Sequence, residues 1–134
     1  MIKYISLFCL LLSCLAGYAQ KPTPTRTYID VYDYGSVDIQ PEFPGGDGAM
    51  MHFINTERRY PAQAWQEGIQ GRVRCSFVVD TDGSIGYVSV VKGVEESLDK
   101  EAVRIISSMP KWQAGAVDSV AVPVYCTLSI SFRR

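Results

Sequence analysis

The segment VAVPVYCTLSISF, residues 120–132, constrains the fold more than any other stretch of the chain. Val122, Val124, Cys126, Leu128, Ile130 and Phe132 occupy alternate positions, and Tyr125, Thr127, Ser129 and Ser131 fall between them. A period of two belongs to a strand with one face buried and the other in water. Such a strand cannot stand by itself. It needs neighbouring strands and a cover over its apolar face.

Both are written upstream. In RVRCSFVVDTDGSIGYVSVV, residues 72–91, Val73, Cys75, Phe77 and Val79 alternate with Arg72, Arg74 and Ser76. This pattern predicts a strand over 70–80. Asp80-Thr81-Asp82-Gly83 predicts a turn, with Gly83 free to take a positive φ. A second strand over 84–92 follows; Ile85 is out of phase with Val88 and Val90, which predicts a bulge near Gly86. The cover is a helix over 98–109, with Leu98, Ala102, Ile105, Ile106 and Met109 on one stripe, Ser97 as its cap and Pro110 at its end. Asp47 is placed to cap a helix over 48–56. Tyr60-Pro61 breaks it, and Pro61 opens a short helix over 62–67 with Trp65 as its buried anchor. The expected fold class is α+β: two short N-terminal helices, then ββαβ, with a three-stranded antiparallel sheet packed on one helix.

A length of 134 residues suits one domain, and a net charge of −1 gives no electrostatic reason to expect nucleic acid. Residues 1–19 read as a secretory signal, with Lys3 at the start, an apolar run from Tyr4 to Leu12, and small residues at Gly17 and Ala19. An uncleaved anchor and lipidation at Cys14 are the alternatives. Residues 20–44 read as a flexible lead, with one short strand near Tyr28 to Tyr32, and residues 45–134 as the folded domain.

Catalytic signals are thin. Asp80-x-Asp82-Gly83 resembles the opening of a calcium loop, but the acid at the twelfth place is missing, so turn chemistry is preferred. His52 is the only histidine. Glu95 and Glu96 precede a helix, where the macrodipole favours negative charge. Trp65 and Trp112 read as core anchors, and Arg72 and Arg74 as solvated charges on the outer sheet face. Cys75 and Cys126 lie on the helix-covered face of strands expected to be neighbours. They form either a cross-strand disulfide or two buried thiols. No nucleophile, base and orienting group converge, so the expectation is no enzyme, no cofactor, no metal and no small-molecule substrate.

YPAQAWQEGIQGRVRCSFVVDTDGSI, VSVVKGVEESLDKEAVRIISSMPKWQAG and VPVYCTLSISF together resemble the TonB C-terminal domain family, over about residues 41–134. The Tyr-Pro, Gly-x-x-Gly-x-Val, Asp-Gly and Met-Pro-Lys-Trp signals stand in that family's order and spacing. PEFPGGDGAMMHFI resembles an extension found in one branch of it. The resemblance implies a periplasmic domain that captures the TonB box, an extended peptide at the N-terminus of outer-membrane transporters, by strand addition. It implies contacts at Tyr60 and Pro61 and along the last strand at Val122, Val124, Tyr125, Thr127, Ser129 and Ser131.

Strand chemistry supports such an edge. With strand order 2-1-3, the last strand has one free side. Pro123 lacks an N–H and should turn that gap away from the neighbouring strand, so Tyr125, Thr127, Ser129 and Ser131 would offer their backbone groups to a guest. Two departures stand out. Gln63 replaces the arginine common two places after the Tyr-Pro proline, and no spanning helix or long Pro-rich spacer is present, which suggests a stand-alone exported domain. The alternative function is an adaptor that binds another envelope protein, or forms a homodimer, through the same edge.

Overall fold

The computed structural model describes residues 30–134. The signal read over 1–19, Cys14 and the lead as far as residue 29 lie outside the described residues.

The lead contributes a two-residue strand, β1 (Tyr32–Asp33). Two helices follow, α1 (Asp47–Glu57) and α2 (Ala62–Gln66). Strands β2 (Gly71–Val79) and β3 (Ile85–Lys92) form an antiparallel hairpin. At its turn Gly83 has φ +86°, and its N–H donates to the Asp80 carbonyl at 2.9 Å. A Cβ at Gly83 would lie 2.0 Å from the Trp112 carbonyl oxygen, so the position demands glycine for space as well as for backbone angle. The Asp80 carboxylate accepts from Thr81 N–H at 2.7 Å and that of Asp82 from Ser84 N–H at 3.0 Å. Both acids are spent on the turn. The bulge falls where the phase break predicts it: Gly86 faces Val78 and Ser89 faces Ser76, leaving Tyr87, with φ +53°, as part of the extra length.

Helix α3 (Glu96–Ser107) covers one sheet face. Leu98, Ala102, Ile105 and Ile106 are buried with Val73, Cys75, Phe77, Val79, Val124, Cys126, Ile130 and Phe132. Each large side chain in this layer contributes roughly 1.5–3 kcal/mol relative to exposure. The cap of α3 is Glu95 rather than Ser97; its carboxylate accepts from the Ser97 and Leu98 N–H groups. A full negative charge suits a helix N-terminus better than a hydroxyl, so the helix starts two residues before the predicted position. Asp47 likewise sits inside the first turn of α1 and not at its cap, which is Gly46.

Trp65 is not a buried anchor. Its residue is 46 % exposed, while Ala64 is 1 % exposed and faces the core. In a five-residue helix only one narrow stripe reaches the core, and the small Ala64 lets the helix approach closely. The indole instead meets Tyr60 edge-on and lies under the Arg134 guanidinium, 5.5 Å from its centre.

The last strand is divided at Pro123. Val120–Val122 forms β5, which pairs with β4 (Gly115–Val117) in a separate two-stranded sheet. Val124–Phe132 forms β6, antiparallel to β2 from Gly71↔Phe132 to Val79↔Val124. The antiparallel trio β6-β2-β3 and its helix match the expected α+β fold. The sheet nevertheless has four strands, because β1 adds to β6 in parallel, with Tyr32 facing Val124 and Asp33 facing Tyr125. Bridges from Ile39 to Ala116 and from Glu42 to Gln113 fasten the following residues, and Phe43 is buried in the core. The lead read as flexible over 20–44 is therefore packed on the domain from β1 onward.

The register also decides the cysteines. Cys75 faces Leu128 and Cys126 faces Phe77, and both thiols are free and buried. Two residues offset by one same-face step are diagonal neighbours, about 7–8 Å apart. That exceeds the roughly 4.4–6.8 Å Cα separation a disulfide needs, so the bridge is not formed and the buried-thiol alternative is the one observed.

Candidate functional site: the outer edge of the last strand

Strand β6 has β2 on one side. On the other, the Tyr32 N–H donates to the Pro123 carbonyl at 2.9 Å. The main-chain groups of Pro123 thus point away from β2, as its missing N–H requires. Residues two, four, six and eight places further on point the same way, so Tyr125, Thr127, Ser129 and Ser131 direct their backbone groups outward.

The structure separates the candidate residues. Val122 lies in β5 opposite Gly115. Val124 is fully buried and flanked by Val79 and Tyr32. Tyr125 keeps an exposed side chain, but β1 already lies beside its backbone. The free flank expected along the whole strand is therefore partly occupied by the chain's own polypeptide. Beyond Tyr125 no strand among the described residues pairs with the outward side of β6. Thr127 and Ser129 are exposed and Ser131 is half-buried.

Tyr60 and Pro61 stand at the other end of β6. The Tyr60 ring meets Phe132 edge-on, with centroids 5.7 Å apart, and its hydroxyl donates to the Ile69 carbonyl. A buried carboxylate holds this corner. Glu101 accepts from the Arg59 N–H at 2.7 Å and from Arg104 Nε and Nη2 at 2.8 and 2.7 Å. Arg104 also donates to the Glu57 carbonyl at 2.7 Å. Burial alone would raise the Glu101 carboxyl, but the Arg104 and Arg59 hydrogen bonds outweigh it and hold the group below the ordinary carboxylate range.

A groove of about 430 Å³ runs beside the open edge, on the helix-covered side. Its β6 wall is Tyr125 to Leu128, its floor includes Phe77 and Trp112, and its far wall is Phe43 and Met50, with Tyr34 at the margin. The rings interlock: Phe43 meets Trp112 at 5.9 Å and Phe77 meets Trp112 at 5.4 Å, both edge to face. The Trp112 Nε1–H is buried without a partner. Burial pushes the Cys126 thiol up to about 11, so it stays neutral in this wall. Sequence reasoning placed Trp112 in the core but missed Phe43 and Met50 as groove residues. The apolar Phe43 between two prolines was the available signal.

Elsewhere the chemistry is sparse. Among the described residues no group of three or more His, Cys, Asp or Glu side chains gathers as metal ligands, and His52 is exposed. Arg72 and Arg74 are exposed on the outer sheet face, opposite Ser131 and Ser129.

Comparison with known proteins agrees with this architecture. Residues 56–133 match the family described as the Gram-negative bacterial TonB protein C-terminal. Protein TonB of Haemophilus influenzae is 36 % identical over 84 residues, covering 60 % of this chain and 31 % of that protein. The chain thus spans under a third of that curated relative. The solution structure of the Helicobacter pylori TonB C-terminal domain superposes with a TM-score of 0.51 at 26 % identity, covering 68 % of this chain and 86 % of that one. With the Tyr-Pro corner, the ββαβ order and the match over most of the folded residues, the chain belongs to the TonB C-terminal domain family.

Proposed function

We propose that this chain is a periplasmic, non-enzymatic peptide-binding domain that serves transport across the outer membrane. Its guest is the TonB box of a TonB-dependent transporter, added as a strand to β6. The observation that carries this reading is the run of outward main-chain groups at Thr127, Ser129 and Ser131, which lacks a strand partner among the described residues. An unpaired edge is a template for another extended chain, and its hydrogen bonds supply affinity without demanding a particular side chain. Tyr60 and Pro61 flank the far end of the added strand. Because β1 covers the level of Val124 and Tyr125, the guest occupies the edge from Cys126 onward, or displaces β1 to reach further back.

A synthetic TonB-box peptide titrated into isotope-labelled protein tests this directly. The amides of Thr127, Ser129 and Ser131 should shift and become protected from hydrogen exchange. Unchanged β6 amides at saturating peptide would falsify the reading.

A further inference from the structure

We propose that the groove between α1 and β6 is a side-chain subsite of the strand-binding edge. It takes apolar side chains from alternate positions of the guest, those that face Cys126 and Leu128. This inference rests on the strand-addition reading and goes further, because it assigns a chemistry to half of the guest's side chains.

Strand parity makes the first connection. Cys126 and Leu128 point to the helix-covered side of the sheet, and both line the groove. A strand laid on the edge, in either direction, places the residues opposite them on that same side. Every second side chain of a guest must therefore enter the groove, and the others point to water beside Thr127 and Ser129.

Strand β1 shows the path such a guest follows. It sits on β6 with Tyr32 at Val124 and Asp33 at Tyr125. The next residue in this register would face Cys126 across the mouth of the groove. The chain instead leaves the sheet in the 3₁₀ turn Tyr34–Ser36. The place that β1 would have filled by continuing is left to an incoming strand.

The lining then selects what enters. Phe43, Phe77, Trp112 and Leu128 present carbon surface, and Met50 adds an adaptable thioether. Acidic groups at the margin, Glu42 and Asp47, repel a carboxylate. A volume of about 430 Å³ lies within the range of sites that bind by apolar contact. Valine, leucine, isoleucine or phenylalanine at two alternate positions would satisfy it; aspartate and glutamate would not. Phe43 and Met50 precede residue 56, where the family match begins.

The test uses the described chain with a TonB-box peptide and two derivatives, one with alanine at its odd positions and one at its even positions. Binding is read by titration, with the β6 amides, the Met50 methyl and the Trp112 indole N–H as separate NMR reporters. One derivative should lose about tenfold or more in affinity and the other far less, since removing a buried branched side chain costs that much. The Met50 and Trp112 signals should move together with the β6 amides. A Met50→Trp variant, which narrows the groove without touching the β6 backbone, should weaken the parent peptide while leaving the alanine derivative that vacates the groove nearly unaffected. Movement of the β6 amides with silent groove reporters and equal losses for both derivatives overturns the subsite and leaves strand addition standing. Silence of every reporter overturns both.

Discussion

Cys75 and Cys126 carry thiols that burial pushes up to about 11, with the Asp99 carboxylate adding to the shift at Cys75. Neither faces the other, so each acts as a small apolar residue. Native protein at pH 8 should react slowly with a thiol reagent, and denaturation should release both groups at once; fast labelling of the native state would contradict the packing. The sign of the linked stability follows. The folded pKa exceeds that of the unfolded thiol, so the contribution is complete below about pH 8.5 and is lost as pH rises towards 11. At this scale the alternation of residues 73–79 and 124–132 foretold most of the buried side chains, although Ser76 on the polar phase is also buried and Leu128 is only half-buried, and Trp65 shows where it fails. Its helix is too short for periodicity to say which of two adjacent residues faces inward.

Strand β1 is the element that most alters the picture drawn from sequence. It adds two residues to the β6 edge, and both are exposed. A pairing so short is held by few hydrogen bonds, each contributing about 0.5–1.5 kcal/mol net. It nonetheless occupies the start of the surface a guest would use. Tyr32→Pro removes the N–H that donates to Pro123. The expected result is affinity for a TonB-box peptide raised by roughly two- to tenfold, the equilibrium equivalent of that one bond. A fall in affinity would mean that β1 supports the guest and does not compete with it. The sequence predicts a short strand near Tyr28 to Tyr32, which β1 overlaps at Tyr32, but nothing in residues 30–36 announces its partner, since a parallel pairing of Tyr32 with the distant Val124 leaves no local trace.

Across the whole molecule, the Glu101 cluster joins α3 to the end of α1 and to the link before Tyr60. Glu101→Gln would leave the Arg104 guanidinium facing an amide in a half-buried site. We expect a loss of about 1.5–3 kcal/mol in chemical denaturation at pH 7. The folded pKa of Glu101 lies below its unfolded value. Its contribution is therefore present above about pH 4.3–4.5 and disappears as pH falls through the folded pKa. The difference between parent and variant should shrink in acid; a gap that stays constant from pH 7 to pH 3 would show that the charge contributes nothing.

The sequence by itself determined the antiparallel trio, the covering helix, the hairpin turn at Gly83 and the outward direction of Pro123. Each of these follows from a local rule: side-chain period, φ preference or a missing donor. Only the tertiary structure decided the sheet register, and with it the separation of Cys75 from Cys126. It alone brought Phe43 and Met50 across a groove from the last strand and laid β1 on the first two residues of that strand's edge. Those contacts join residues far apart in the chain, and their energy comes from surfaces that meet only after the domain has closed.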